Sequence, residues 1–182
     1  MKQLLYVYLG IVVFFSVLIV PAENWGQSAT LILYTNIIEN VSYEIPYNWT
    51  VKEMNQYGKG YVVRMAAIAE AEDNFRENIN LVVEDLENNM TLSQYLEANL
   101  RNMPTILNEF KKYQSGVLQD ANEEGKFIIY GHKYGSNNLK VVCFLYIKEK
   151  KGYCLTCTSR IDRYARFEDL FMLIGKSFKF NF

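Results

Sequence analysis

Between Leu92 and Phe110, apolar residues recur at Leu92, Leu96, Leu100, Met103, Leu107 and Phe110, always three or four positions apart. That spacing is one continuous face of an α-helix, and such a face has to be buried. After Gly116 the period changes. Val117–Gln119, Phe127–Tyr134, Leu139–Ile147 and Tyr153–Ser159 are β-type runs, joined by the turn-rich clusters Asn122–Gly125, Gly135–Asn138 and Glu149–Gly152. Runs joined so tightly pair as an antiparallel meander, because parallel neighbours need long crossovers. The chain is therefore bound to a fold in which an amphipathic helix precedes an antiparallel sheet.

Local signals refine this outline. Thr91 and Gln94 form a capping box at the helix start, and Pro104 predicts a kink or break within it. Upstream, Leu31–Thr35 and Val41–Ile45 read as a hairpin around Asn36–Asn40, Pro46 ends the second run, and Tyr47–Thr50 makes a turn. Gly58 and Gly60 punctuate a loop before a run at Tyr61–Ala69. In Asn78–Leu86, Ile79, Leu81 and Val83 face opposite to Asn80, Val82 and Glu84. A second helix is predicted over Arg163–Gly175, with Phe167, Leu170, Phe171 and Ile174 on one side, Gly175 as its stop, and a last strand at Ser177–Phe182.

The N-terminus is different in kind. Lys2 precedes the apolar run Leu4–Val20, interrupted only by Gly10 and Ser16, and Pro21, Ala22 and Glu23 end it. A charged start, an apolar stretch and small residues Val20 and Ala22 at its end form a secretory signal cleaved after Ala22. The alternative is a retained anchor, since the run is just short of the roughly 20 residues that span a bilayer. No Cys follows it for lipid attachment. Both readings make residues 1–22 a targeting segment and residues 23–30 a small, polar linker before a domain at 31–182, and both put residues 23–182 outside the cytoplasm. About 160 residues then remain, enough for one domain.

The net charge is −1 at pH 7, one unit more negative without Lys2. Nucleic-acid binding needs a basic patch and is excluded as the expected function, as is electrostatic membrane binding. The membrane is met only through Leu4–Val20, if that run is uncleaved. With 14 Tyr and 11 Phe the composition favours a sheet-containing domain over disorder. The three cysteines, Cys143, Cys154 and Cys157, leave at least one thiol without an internal partner.

Four motifs carry a resemblance. VSYEIPYNW at Val41–Trp49, FRENINLVVEDL at Phe75–Leu86, GYCLTCT at Gly152–Thr158 and RFEDLFMLIGKSFKF at Arg166–Phe180 resemble, in order and spacing, the motifs of PsbP/Mog1/DcrB-like domains. The resemblance covers residues 30–182 and implies an α+β fold, an α/β/α sandwich on a central antiparallel sheet. It also implies a non-catalytic binding or assembly role. The photosystem extrinsic protein of this family docks on a membrane complex, and the Mog1 branch binds a nuclear GTPase, a role the export signal argues against. The metal sites of plant-type members use histidines and acids that find no match in this chain.

Candidate chemistry is weak when weighed residue by residue. His132 is the only histidine and has no nucleophile-elbow partner. Cys154 and Cys157 form a C-x-x-C, but Leu155, Thr156 and Thr158 make it a strand, where positions three apart leave opposite faces. With a two-residue turn at Lys150–Lys151, Leu145 faces Thr156 and Cys143 faces Thr158, so no two cysteines are expected to pair. The segment Asp120–Gly125 resembles half a calcium loop, but its twelfth position is Gly131 instead of Glu. Glu70, Glu72, Asp73 and Glu77 read as solvated loop acids, and Gly58–Gly60 lacks the rest of a phosphate loop. Asn40, Asn48 and Asn89 begin glycosylation triplets where the host glycosylates exported proteins.

The sequence thus points to an exported binding or assembly module of the cell envelope with an unidentified protein partner. No catalytic, cofactor-binding or metal-ligating residue is assigned, and no cofactor is expected. The alternatives are a thiol-dependent or hydrolytic envelope enzyme using Cys154, Cys157 or His132, and a metal-binding module.

Overall fold

The computed structural model describes residues 30–55, 61–66, 75–86 and 90–181. The Leu4–Val20 run, Gly58–Gly60, Glu70, Glu72, Asp73 and Asn89 lie outside the described residues. Among those described, no helix is long and apolar enough to cross a membrane.

In chain order the elements are β1 (Leu31–Asn36), β2 (Val41–Pro46), β3 (Thr50–Asn55), β4 (Tyr61–Ala66), β5 (Asn78–Asp85), α1 (Leu92–Ile106), β6 (Asn108–Val117), β7 (Lys126–Tyr134), β8 (Asn137–Lys148), β9 (Lys151–Arg160), a 3₁₀ turn at Tyr164–Arg166, α2 (Glu168–Ser177) and β10 (Lys179–Phe180). Strands β3-β4-β5-β9-β8-β7-β6 form a seven-stranded sheet, and β1-β2-β10 form a three-stranded one. Every pairing is antiparallel. This is the expected α+β layering, with the large sheet in the middle.

Strand alternation divides that sheet's residues between two cores. On one face Ile79, Leu81, Val83, Phe127, Ile129, Val142, Phe144, Tyr146, Leu155 and Cys157 pack with α2 and the small sheet. On the other, Ile128, Tyr130, Val141, Cys143 and Leu145 pack under α1, through Tyr95 and Met103 with Leu92, Leu96 and Leu100 half-buried beside them.

The family-like motifs have mechanical roles. Ile45 and Trp49 enter the core across a turn closed by Trp49 N–H donating to Pro46 O at 3.1 Å. Ser177 Oγ donates to Ile174 O (2.7 Å) and accepts from Glu44 N–H (2.8 Å), which ties α2 to β2. Phe178 stacks on Tyr146 with ring centroids 4.2 Å apart, and Phe180 meets Tyr153 edge-on at 5.0 Å.

Several boundaries differ from the sequence reading. The helical stripe ends early: α1 stops at Ile106, two residues beyond Pro104, and Phe110 belongs to β6. Pro104 lacks the N–H that would hold the preceding turn, and Leu107 is already extended. Leu107 and Phe110 still pack on the same core as Leu100. The first strand of the meander is accordingly Asn108–Val117, not Val117–Gln119. Strand β3, read only as a turn up to Thr50, is an edge strand whose Thr50, Val51 and Lys52 are exposed. Gly175 does not stop α2, which continues to Ser177. It sits inside the helix because its bare Cα faces the ring of Phe144. The closing strand shrinks to Lys179–Phe180.

Candidate functional site

The β8–β9 hairpin closes at Glu149–Lys150, both in the left-handed region (φ 50° and 66°), instead of at Lys150–Lys151. Two consecutive positive φ values suit a two-residue hairpin turn. The register therefore shifts by two residues. Leu145 lies opposite Cys154, Cys143 opposite Thr156, and Val142 opposite Cys157. A shift of two preserves the faces. Cys157 stays in the α2-side core, opposite in direction to Cys154, as its spacing requires. Cys143 and Cys154 become diagonal neighbours on the α1 side, with their sulfurs 3.1 Å apart. The register expected from a turn at Lys150–Lys151 is thus corrected, because the turn lies one residue earlier than assumed, and all three cysteines are free.

Tyr95 roofs this region. Its ring covers Gly152, where a Cβ would stand 2.6 Å from Cζ, and its hydroxyl donates to Glu84 Oε1 at 2.6 Å. Burial, then the neighbouring Cys154, pushes the Tyr95 hydroxyl far above the ordinary tyrosine range. The hydrogen bond to Cys154, then burial, pushes the Cys143 thiol well up, and burial alone does so for Cys157. Both are therefore poor nucleophiles, since the thiolate is the reactive form. The sequence reading missed Tyr95; its position three residues after Leu92, on the face of the stripe, is the signal that could have found it.

The acids divide. Glu77, read as solvated, is 5% exposed. It accepts from Ser159 Oγ at 3.1 Å and lies 3.6 Å from Arg163 Nε. A buried carboxylate needs such partners, and their distance in sequence hid them. The loop resembling half a calcium site is a clasp. Asn122 N–H donates to Lys176 O (3.0 Å), Asn122 Nδ2 to Ser177 O (3.1 Å), and Glu123 Oε1 accepts from Phe180 N–H (3.0 Å). Among the described residues no group of three His, Cys, Asp or Glu could hold a metal. His132 is half-buried in β7 with its ring 5.9 Å from that of Tyr130, and burial lowers its pKa.

The β1–β2 turn is built differently from an ordinary loop. Asn36 Oδ1 accepts from Glu39 N–H (2.8 Å), Glu39 Oε2 meets Lys151 Nζ (2.8 Å), and Asn40 Nδ2 donates to Asn181 O (2.6 Å). Asn40 supplies the turn's left-handed residue, φ 53°. On this pinned turn Ile37 and Ile38 are 70% and 68% exposed. A glycan on Asn40 would displace its bond to Asn181, whereas Asn48 is exposed.

No family model matches the sequence, and no curated protein matches it. Solved structures do. The cyanobacterial PsbP (CyanoP) of Synechocystis is 15% identical with a TM-score of 0.63, over 88% of this chain and 98% of that one. LpqN of Mycobacterium tuberculosis, involved in cell envelope biogenesis, is 11% identical with a TM-score of 0.56, over 86% and 87%. The Ran-binding protein Mog1p of Saccharomyces cerevisiae is 7% identical with a TM-score of 0.58, over 84% and 96%. With its helix-flanked antiparallel sheet and SFKF-closed core, the chain has the PsbP/Mog1-like fold.

Proposed function

We propose that the protein is an exported, non-catalytic binding module that presents its β1–β2 turn to a protein partner at the cell envelope. The observation that carries this reading is the pinned turn. Water-exposed isoleucines are unfavourable, and here Ile37 and Ile38 are held outward by backbone and side-chain bonds to Asn36, Lys151 and Asn181. A rigid apolar projection loses little conformational entropy when it enters an apolar groove. Export is supported by the run Leu4–Val20 with its small-residue end. A protein-binding role is in keeping with Ran binding by Mog1p, and an envelope setting with the involvement of LpqN in envelope biogenesis.

The test places a photoreactive residue at position 38 of the full chain in its source cells, and separately at Tyr134, which is 71% exposed elsewhere. The expected result is a discrete adduct from position 38 in the extracytoplasmic fraction, lost when Ile37 becomes Asp, with none from position 134. The same adducts from both positions, or a chain retained in the cytoplasm, would refute the reading.

A further inference from the structure

We propose that Cys143 and Cys154 are a disulfide-forming pair, oxidised by thiol–disulfide exchange with a low-molecular-weight disulfide. The proposal rests on sheet geometry, independently of the β1–β2 turn and of any partner. The hairpin turn at Glu149–Lys150 sets Cys143 across from Thr156 and Cys154 across from Leu145. The two cysteines thus occupy diagonal positions on one face, with Sγ atoms 3.1 Å apart, against about 2.0 Å in a disulfide. Cys157, next but two to Cys154, leaves the opposite face and is closed off in the other core.

The pair is asymmetric in a way that orders the chemistry. Cys143 has 0% exposure, whereas Cys154 is only partly covered. An oxidant therefore reaches Cys154 first. The Cys154 thiolate attacks one sulfur of the external disulfide RSSR, forming a mixed disulfide and expelling one thiolate, which takes up the proton Cys154 lost. Cys143 then gives up its proton and attacks the Cys154 sulfur. The new Cys143–Cys154 bond forms as the Cys154–SR bond breaks, and the second RSH departs. Two protein thiols are oxidised and one RSSR is reduced to two RSH. The buried Cys143 thiol, poor against an external reagent, needs only to cross to the adjoining sulfur.

The experiment uses the full chain, reduced, then held folded with oxidised glutathione, unfolded, labelled with a maleimide and weighed intact. The reduced chain has three thiols to label. The expected oxidised chain takes one label, retains no glutathione and yields a peptide linking Cys143 to Cys154. An unfolded chain favours the shorter loop Cys154–Cys157, so the identity of the link reports the folded geometry. Cys157→Ala should take two labels before oxidation and none after. Cys143→Ala should instead hold glutathione on Cys154, because the resolving thiol is gone. Three labels on the oxidised wild-type chain, stable glutathione on its Cys154, or a link that includes Cys157 would each overturn the proposal. The wild-type measurement stands even where a variant fails to fold.

Discussion

Gly175 shows how a residue's context can reverse its ordinary effect. Glycine inside a helix is usually a weakness, and replacing it with alanine usually stabilises by about 0.5–1 kcal/mol. Here Tyr146 Oη donates to Gly175 O at 2.5 Å, and a Cβ would enter the ring of Phe144. Gly175→Ala should therefore destabilise, by the roughly 1–3 kcal/mol typical of overpacking, read as a lower urea midpoint at unchanged slope. His132 makes a second residue-scale prediction. Burial lowers its folded pKa below the ordinary value of about 6.5, so the unfolded chain takes up the proton more readily. Its contribution to stability is intact above about pH 6.5 and is lost as pH falls from there towards the lowered folded value. His132→Gln should flatten the decline in unfolding free energy across that window; an unchanged slope would show that other groups account for it. The sequence pointed to His132 as an ordinary strand residue. It could not reveal the burial of Glu77, because Ser159 and Arg163 arrive from the far end of the chain.

At the scale of elements, periodic burial was legible and the identity of some elements was not. The stripe from Leu92 to Phe110 does face one core, yet Leu107 and Phe110 reach it from extended backbone. Spacing of three or four predicts a shared face only while the helix lasts, and Pro104 ended it. Strand β3 was invisible because an edge strand with exposed Thr50, Val51 and Lys52 has no apolar face to read. The burial along α1 also ranks its substitutions. Met103 is 6% exposed and should cost about 2–5 kcal/mol as alanine. Leu100 is only half-buried and should cost less than Met103. Thr91 accepts from Gln94 N–H at 3.2 Å while Gln94 Oε1 accepts from Thr91 N–H at 2.8 Å, so Thr91→Ala should cost about 1 kcal/mol. Denaturant unfolding of the three variants checks the order, and a Leu100 variant as costly as Met103 would mean that α1 packs more deeply than described.

For the molecule as a whole, four weak motifs in a fixed order were enough to name the fold, since together they mark two neighbouring central strands, β5 and β9, and the β2 and α2–β10 segments that cover one face of the large sheet. The pinned β1–β2 turn was not legible. Nothing in TNIIEN announces that Asn36 and Asn40 hold it or that two isoleucines stay in water. The run Leu4–Val20 has no polar face with which to join a domain surface, and it reads as a targeting segment. A chain beginning at Glu23 should therefore fold cooperatively and remain soluble, as judged by a single sharp thermal transition. Aggregation of that chain, with the full chain folded in detergent, would make the apolar run part of the fold.

The small sheet joins segments far apart in sequence: β2 pairs with β10, Ser42 lies opposite Lys179, and Asn181 bonds both Asn40 and Ser42. Ribosomes deliver β2 well before β10. Until β10 emerges one border of β2 therefore has no mate, and Val41, Tyr43 and Ile45, all core residues in the folded protein, wait uncovered. An unmated border beside bare apolar surface is what holdase chaperones grip and what nascent chains stick together by. Sealing of the small sheet thus waits on residues 178–181, and a chain cut short before Phe178 could build much of its large sheet but could not seal its small one.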